Sequence, residues 1–121
     1  MTFGLTGDNA TRGAYTSIMT AQLVLQFATA EDLDSYDRLI LFEDALISLL
    51  GRSAKVDGHD FGAGEMNIFI LTEDPISTFA LIQQTEQSIR PSQEMKAAYR
   101  PIDGDDFICL WPPGLEDFDI I

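Results

Sequence analysis

The segment VDGHDFGAGE, residues 56–65, sets the chain's one histidine, His59, among Asp57, Asp60 and Glu65. An imidazole beside carboxylates is ligand chemistry for zinc, manganese or iron. Neighbouring carboxylates also favour the charged form of a histidine, which would make a contact here pH-sensitive. The spacing matches no closed ligand pattern. On a regular strand, alternation puts Asp57 and His59 on one face and Asp60 on the other. Gly58, Gly62 and Gly64 permit positive φ and a bulged hairpin without any chemistry. The segment therefore reads first as a hairpin displaying acids. Asp57, His59 and Glu65 are its weak metal candidates, and no cofactor is expected.

Other chemistry has less support. DGDD, residues 103–106, stops short of the alternating acids and distant bidentate glutamate of a calcium loop, so it reads as a turn. GAG at 62–64 lacks both the spacing of a phosphate loop and the helix that should follow it. TEDP, residues 72–75, offers helix-terminal amides, but Glu73 and Asp74 oppose an anion there. Cys109 lies in the apolar run FICLW with no adjacent base, the setting of an inert packing thiol. A Cys109–His59 pair across a sheet is a remote alternative. The serines fall at termini, helix starts or exposed helix positions, with none on a strand-to-helix elbow. No convincing catalytic set emerges, and the expectation is a non-enzymatic protein.

These residues need elements to position them. AQLVLQF (21–27) alternates Ala21, Leu23, Leu25 and Phe27 against Gln22, Val24 and Gln26, the pattern of a half-buried strand. TAEDLDSYDRLILFEDALISLLG (29–51) follows as a helix, with Thr29 as cap and acids in the first turn. Leu39, Phe42, Leu46 and Leu49 form its apolar stripe, flanked by Ile40, Ile47 and Leu50, and Gly51 stops it. SAKV begins a second strand that runs into the acidic hairpin. MNIFILT (66–72) is apolar on both faces, as a central or doubly covered strand would be. EDPISTFALIQQTEQSIRP (73–91) is a second helix from Asp74 and Pro75 to Pro91, with Ile76, Phe79, Ile82 or Gln83, Glu86 and Ile89 on its stripe. Two strands around Asp103-Gly104 follow, the first kept short or at an edge by Pro101. Trp111 with Pro112 and Pro113 closes the second. Leu115, Phe118, Ile120 and Ile121 make the tail too apolar to be inert.

The order β-α-β-β-α-β plus a further C-terminal strand points to an α+β fold of the ferredoxin-like, split β-α-β kind, with two helices on one face of an antiparallel sheet. Val24, Phe69 and Leu71 would lie on the sheet's other face, which would serve as a homodimer interface if exposed. Residues 1–18 are small, polar and aperiodic, an expected disordered extension before a single domain over 19–121.

Composition narrows the partner. Twenty acids against seven bases in 121 residues give a net charge of −13. Nucleic acid and anionic membrane surfaces are disfavoured partners. No apolar run reaches the roughly 18 residues of a bilayer span, and the N-terminus lacks the pattern of a secretory signal. A single cysteine suits a reducing cytoplasm. The acids cluster: residues 31–44 hold six with one arginine, 57–74 hold five with no Lys or Arg, and 103–119 hold six with none. The expected function is protein–protein interaction with a basic partner, in the manner of an inhibitor or immunity protein covering a positive surface. Its expected contacts are Asp57, Asp60, Glu65, Asp103, Asp105 and Asp106, with Trp111 as an anchor. The alternative is a small-molecule- or metal-binding regulatory domain built on the 57–65 hairpin.

Overall fold

The computed structural model describes residues 20–30, 32–92 and 94–120. The expected extension over 1–18 and the domain start at Met19 lie outside them. The elements are β1 (Ala21–Ala28), α1 (Leu33–Leu50), β2 (Ala54–Gly62), β3 (Glu65–Thr72), α2 (Pro75–Ile82), a 3-10 turn (Gln87–Ile89), β4 (Met95–Pro101) and β5 (Ile108–Trp111). The five strands form one antiparallel sheet in the order β2-β3-β1-β4-β5. The chain is thus α+β, with one strand more than a four-stranded split β-α-β sheet.

Alternation along β1 sets the two faces. Leu23, Leu25 and Phe27 turn toward the helices and meet Leu39, Phe42, Leu46 and Leu50 of α1 and Phe79 and Ile82 of α2. Phe27 and Phe42 pack edge to face at 5.8 Å. Each such buried side chain contributes about 1.5–3 kcal/mol. On the opposite face Val24, Ala98 and Phe118 are buried with Phe69, Phe107, Cys109, Leu115 and Ile120 packed against them. The C-terminal segment after β5 therefore covers the sheet's second face. The half-buried strand expected at β1 is buried on both faces as a result. Gln26, on that second face, donates to Asn67 Oδ1 at 3.1 Å and to the Asp119 carbonyl at 2.9 Å. Those bonds satisfy an amide that would otherwise be costly to bury.

Several boundaries differ from the sequence reading. The cap of α1 is Asp32, whose Oδ1 accepts from the Ser35 amide at 2.8 Å. Thr29 lies too far before the first helical residue, Leu33, to cap it, and its amide donates to the Gly64 carbonyl at 3.0 Å just past the end of β1. Leu50, rather than Leu49, completes the buried stripe of α1, with Leu49 38% exposed. α2 stops at Ile82, well short of Pro91. Beyond Ile82 no apolar residue appears until Ile89, so a longer helix would have no face to bury. Ile76 and Ile89, assigned to its stripe, are 61% and 44% exposed. Pro101 does not confine β4 to an edge: β4 lies between β1 and β5, and Pro101 sits past Tyr99, the last β4 residue paired with β5. The β4–β5 connection runs from Ile102 to Phe107, with a turn closed by Gly104 N–H on the Pro101 carbonyl at 2.9 Å, instead of a two-residue hairpin at Asp103-Gly104.

Asp32 and Asp74 cap the two helices in the same way, Asp74 accepting from the amide (3.1 Å) and hydroxyl (2.8 Å) of Ser77. The bond from the serine amide, then that from its hydroxyl, holds each carboxyl below the ordinary aspartate value of 3.8. A carboxyl whose pKa is lower folded than unfolded adds stability that is complete above the unfolded value and is lost as pH falls through the folded one. The thermal midpoint is therefore expected to fall as pH drops below about 3.8, the ordinary aspartate value that holds in the unfolded chain. In an Asp32→Ala/Asp74→Ala variant, scanned by circular dichroism, that acid-side fall should be shallower and the midpoint at neutral pH lower.

Candidate functional site

The turn between β2 and β3 is Ala63-Gly64, flanked by the paired Gly62 and Glu65. Ala63 (φ 55°) and Gly64 (φ 78°) supply the two positive φ angles of a type I′ hairpin. The acidic segment of residues 56–62 is thus β2 itself rather than a loop. The ladder with β3 is regular except between Val56 and Gly58, where Asp57 is an extra, unpaired residue. Such a bulge shifts the parity of everything beyond it. Asp57 therefore faces the tail side of the sheet while His59, paired with Ile68, faces the helices. The alternation that would have joined Asp57 to His59 is broken there.

His59 meets α1 instead. Its Nδ1 lies 3.1 Å from both carboxylate oxygens of Glu43, and its ring lies edge-on to Tyr36 at 5.8 Å. Tyr36 in turn packs on Phe61 at 5.3 Å. This cluster fastens the exposed side of α1 over the edge strand β2. Glu43 was not among the expected site residues; with Asp44 it breaks the apolar run of α1, which in the sequence marks only an amphipathic helix.

The tail side of the sheet gathers the acids. A depression of about 520 Å³ is rimmed by Asp57 from the β2 bulge, Asp105 from the β4–β5 connection and Asp119 from the tail. Its walls are Phe69, Phe107 and Ile120. Arg100 also lines it, donating from Nε to Gln22 Oε1 at 3.0 Å and lying 4.6 Å from the centre of the Phe107 ring. Arg100 makes no ion pair with a described carboxylate within 4 Å. Three carboxylates thus face one fixed guanidinium, and the rim keeps a negative excess. Apolar walls under a carboxylate rim suit a long cationic side chain, whose stem packs while its head is paired. Asp119 was not among the expected contacts; only its place in the acid-rich run 103–119 hinted at it.

The remaining expected residues are dispersed. Asp60 is exposed, and Glu65 is half-buried, accepting from Asn67 Nδ2 at 3.0 Å. Asp103 and Asp106 are exposed but do not line the depression. Trp111 sits on the helix side, its ring 6.3 Å from Phe79, and borders a second cavity of about 490 Å³ at the end of β1 with Glu65, Glu94 and Lys96. It is therefore apart from Asp57 and Asp105. Cys109 packs in the tail-side cluster, on the face opposite His59. Among the described residues no three His, Cys, Asp or Glu side chains are placed to hold a metal ion, and His59 is separated by the sheet from Asp57. No helix among the described residues is long and apolar enough to cross a membrane. No family model, curated protein or solved structure matches the chain, so its own geometry carries the reading of the site.

Proposed function

We propose that this chain is a small, non-enzymatic, acidic binding protein of the cytoplasm that acts by seating basic side chains of a protein partner, as an inhibitor of a positively charged protein would. One observation carries the reading: Asp57, Asp105 and Asp119, drawn from three separate segments, meet around an apolar-walled depression. The net charge of −13 supports it, because a negative field speeds encounter with a basic surface. The split β-α-β description belongs to the same proposal. It is supported by β3 lying between β1 and β2, and by β1 lying between β3 and β4, with β5 added outside.

An arginine-rich peptide of about ten residues, the length of a short charged recognition segment, serves as the probe. Amide shifts on titration should centre on Asp57, Phe69, Asp105, Phe107 and Asp119. The association rate should fall steeply as salt is raised from low to physiological concentration. Shifts confined to α1, or a rate indifferent to salt, would overturn the proposal.

A further inference from the structure

In a chain with this excess of acids, one surface cavity carries two arginines in its lining. Arg38 of α1 lies on one side, and Gln87, Ser88, Arg90 and Ser92 from the segment after α2 supply the rest, with Pro91 between them. Its volume is about 440 Å³, and no carboxylate lines it. Asp34, one turn before Arg38 on α1, is not within ion-pair distance of it, and neither arginine is paired with a described acid. Ser88 Oγ donates to Glu86 Oε1 at 3.5 Å, although Glu86 itself does not line the cavity.

Arg90 is the informative member. It is only 8% exposed. Its Nε donates to Thr85 Oγ1 at 3.3 Å, and Nη2 donates to the carbonyls of Gln83 (3.2 Å) and Thr85 (3.1 Å). These bonds account for three of the five N–H groups a guanidinium carries and hold its plane fixed at the C-terminal end of α2. The two on Nη1 have no protein partner among the described residues. A buried charge with unmatched donors is costly unless a partner of opposite sign reaches it. Ser92 Oγ accepts from the Glu94 amide at 3.2 Å, which leaves its own proton to donate. Helix-capping alone explains Nε and Nη2 of Arg90. It does not explain Nη1, nor a second guanidinium and the Ser92 hydroxyl at the same opening.

From this we infer that the Arg38–Arg90 cavity is a binding site for a phosphate group, either free or as the monoester of a small molecule. Two permanently charged guanidiniums and the Ser92 hydroxyl match the charge and the many acceptor lone pairs of a tetrahedral dianion. The cavity exceeds what one phosphate fills, leaving space for a small esterified group. The site lies apart from the acid-rimmed depression and shares no residue with it. The overall charge of −13 repels anions, so diffuse binding is disfavoured and any saturable phosphate binding must come from a local site.

The test uses the full chain with inorganic phosphate in one arm and phenyl phosphate in the other, followed by amide shifts at low salt. Both probes are expected to give saturable shifts at Gln87, Ser88, Arg90 and Ser92. Tighter binding of phenyl phosphate identifies an ester ligand, and equal binding identifies phosphate itself. Arg38→Ala, at an exposed position, should leave the thermal midpoint unchanged and weaken binding about tenfold to a hundredfold, the loss of a charge-assisted contact. Arg90→Lys tests the fork geometry, with Arg38→Ala keeping the result readable if Arg90→Lys unfolds the chain. Absence of saturable shifts in wild type, or equal binding by Arg38→Ala, would overturn the inference.

Discussion

Phe118→Ala is expected to destabilise the chain by about 3 kcal/mol, the range for truncating a buried phenylalanine. Phe118 is only 9% exposed although it belongs to a tail without regular secondary structure. It packs on Val24 and Ala98, and its ring meets Phe107 at 4.9 Å in an edge-to-face contact. Aromatic pairs of this kind add about 0.5–1.5 kcal/mol to their buried area. A second loss follows from the first. Asp119, the next residue, holds the buried Gln26 amide through its carbonyl, and a tail released at Phe118 leaves that amide short of an acceptor. Against a total stability of about 5–15 kcal/mol for an ordinary domain, the change is large. Urea unfolding followed by circular dichroism measures it directly. Removing the whole tail after Trp111 should act in the same direction and expose Val24, Phe69 and Ala98. Self-association in size-exclusion chromatography with light scattering is the expected sign of that exposure. A change below about 1 kcal/mol in Phe118→Ala, the scale of a surface substitution, would mean that the tail contributes little to the fold.

The tail also shows what could and could not be read from the sequence. Its apolar residues revealed that it packs somewhere, but periodicity describes only regular elements and gives no docking address for an irregular segment. The doubly apolar MNIFILT gave the right inference about its strand: β3 lies inside the sheet, with Phe69 covered by that tail. The alternation in AQLVLQF fixed which residues share a face, because a strand has a period of two whatever lies above it. It could not show that Val24 and Gln26 would be buried from the far side. The acidic hairpin failed for a sharper reason. One unpaired residue, Asp57, inverts the face of all that follows, and nothing in VDGHD distinguishes a bulged strand from a regular one except the permissive Gly58 (φ 136°). The grouping of Asp57 with His59 depended on that parity, whereas the grouping of Asp57 with Asp105 and Asp119 depends on tertiary contacts between distant segments. Arg90 was equally hidden. In sequence it is a cation near a proline, and only folding buries it against the carbonyls that end α2 early.

Replacing Asp57, Asp105 and Asp119 together with asparagine is expected to weaken binding of the arginine-rich probe about tenfold or more, mostly through slower association. The same substitutions at Asp34, Asp37 and Asp44 on α1 lower the net charge equally, from −13 to −10, and should change the affinity far less. That contrast separates a built site from a general field. Individual exposed ion pairs contribute only about 0.2–1 kcal/mol, so a single substitution at the depression would be hard to read. Under the proposed reading the three together would act on one cationic side chain, its stem packed against Phe69, Phe107 and Ile120 of the depression. Phe107→Ala adds an independent measure, because it removes the wall and the ring beneath Arg100 without changing any charge. Its effect should appear in the dissociation rate, since steering depends on charge and residence depends on contact. Equal losses from the two charge-matched triples would reduce the depression to a share of the overall charge, and the partner would then be chosen by net charge alone.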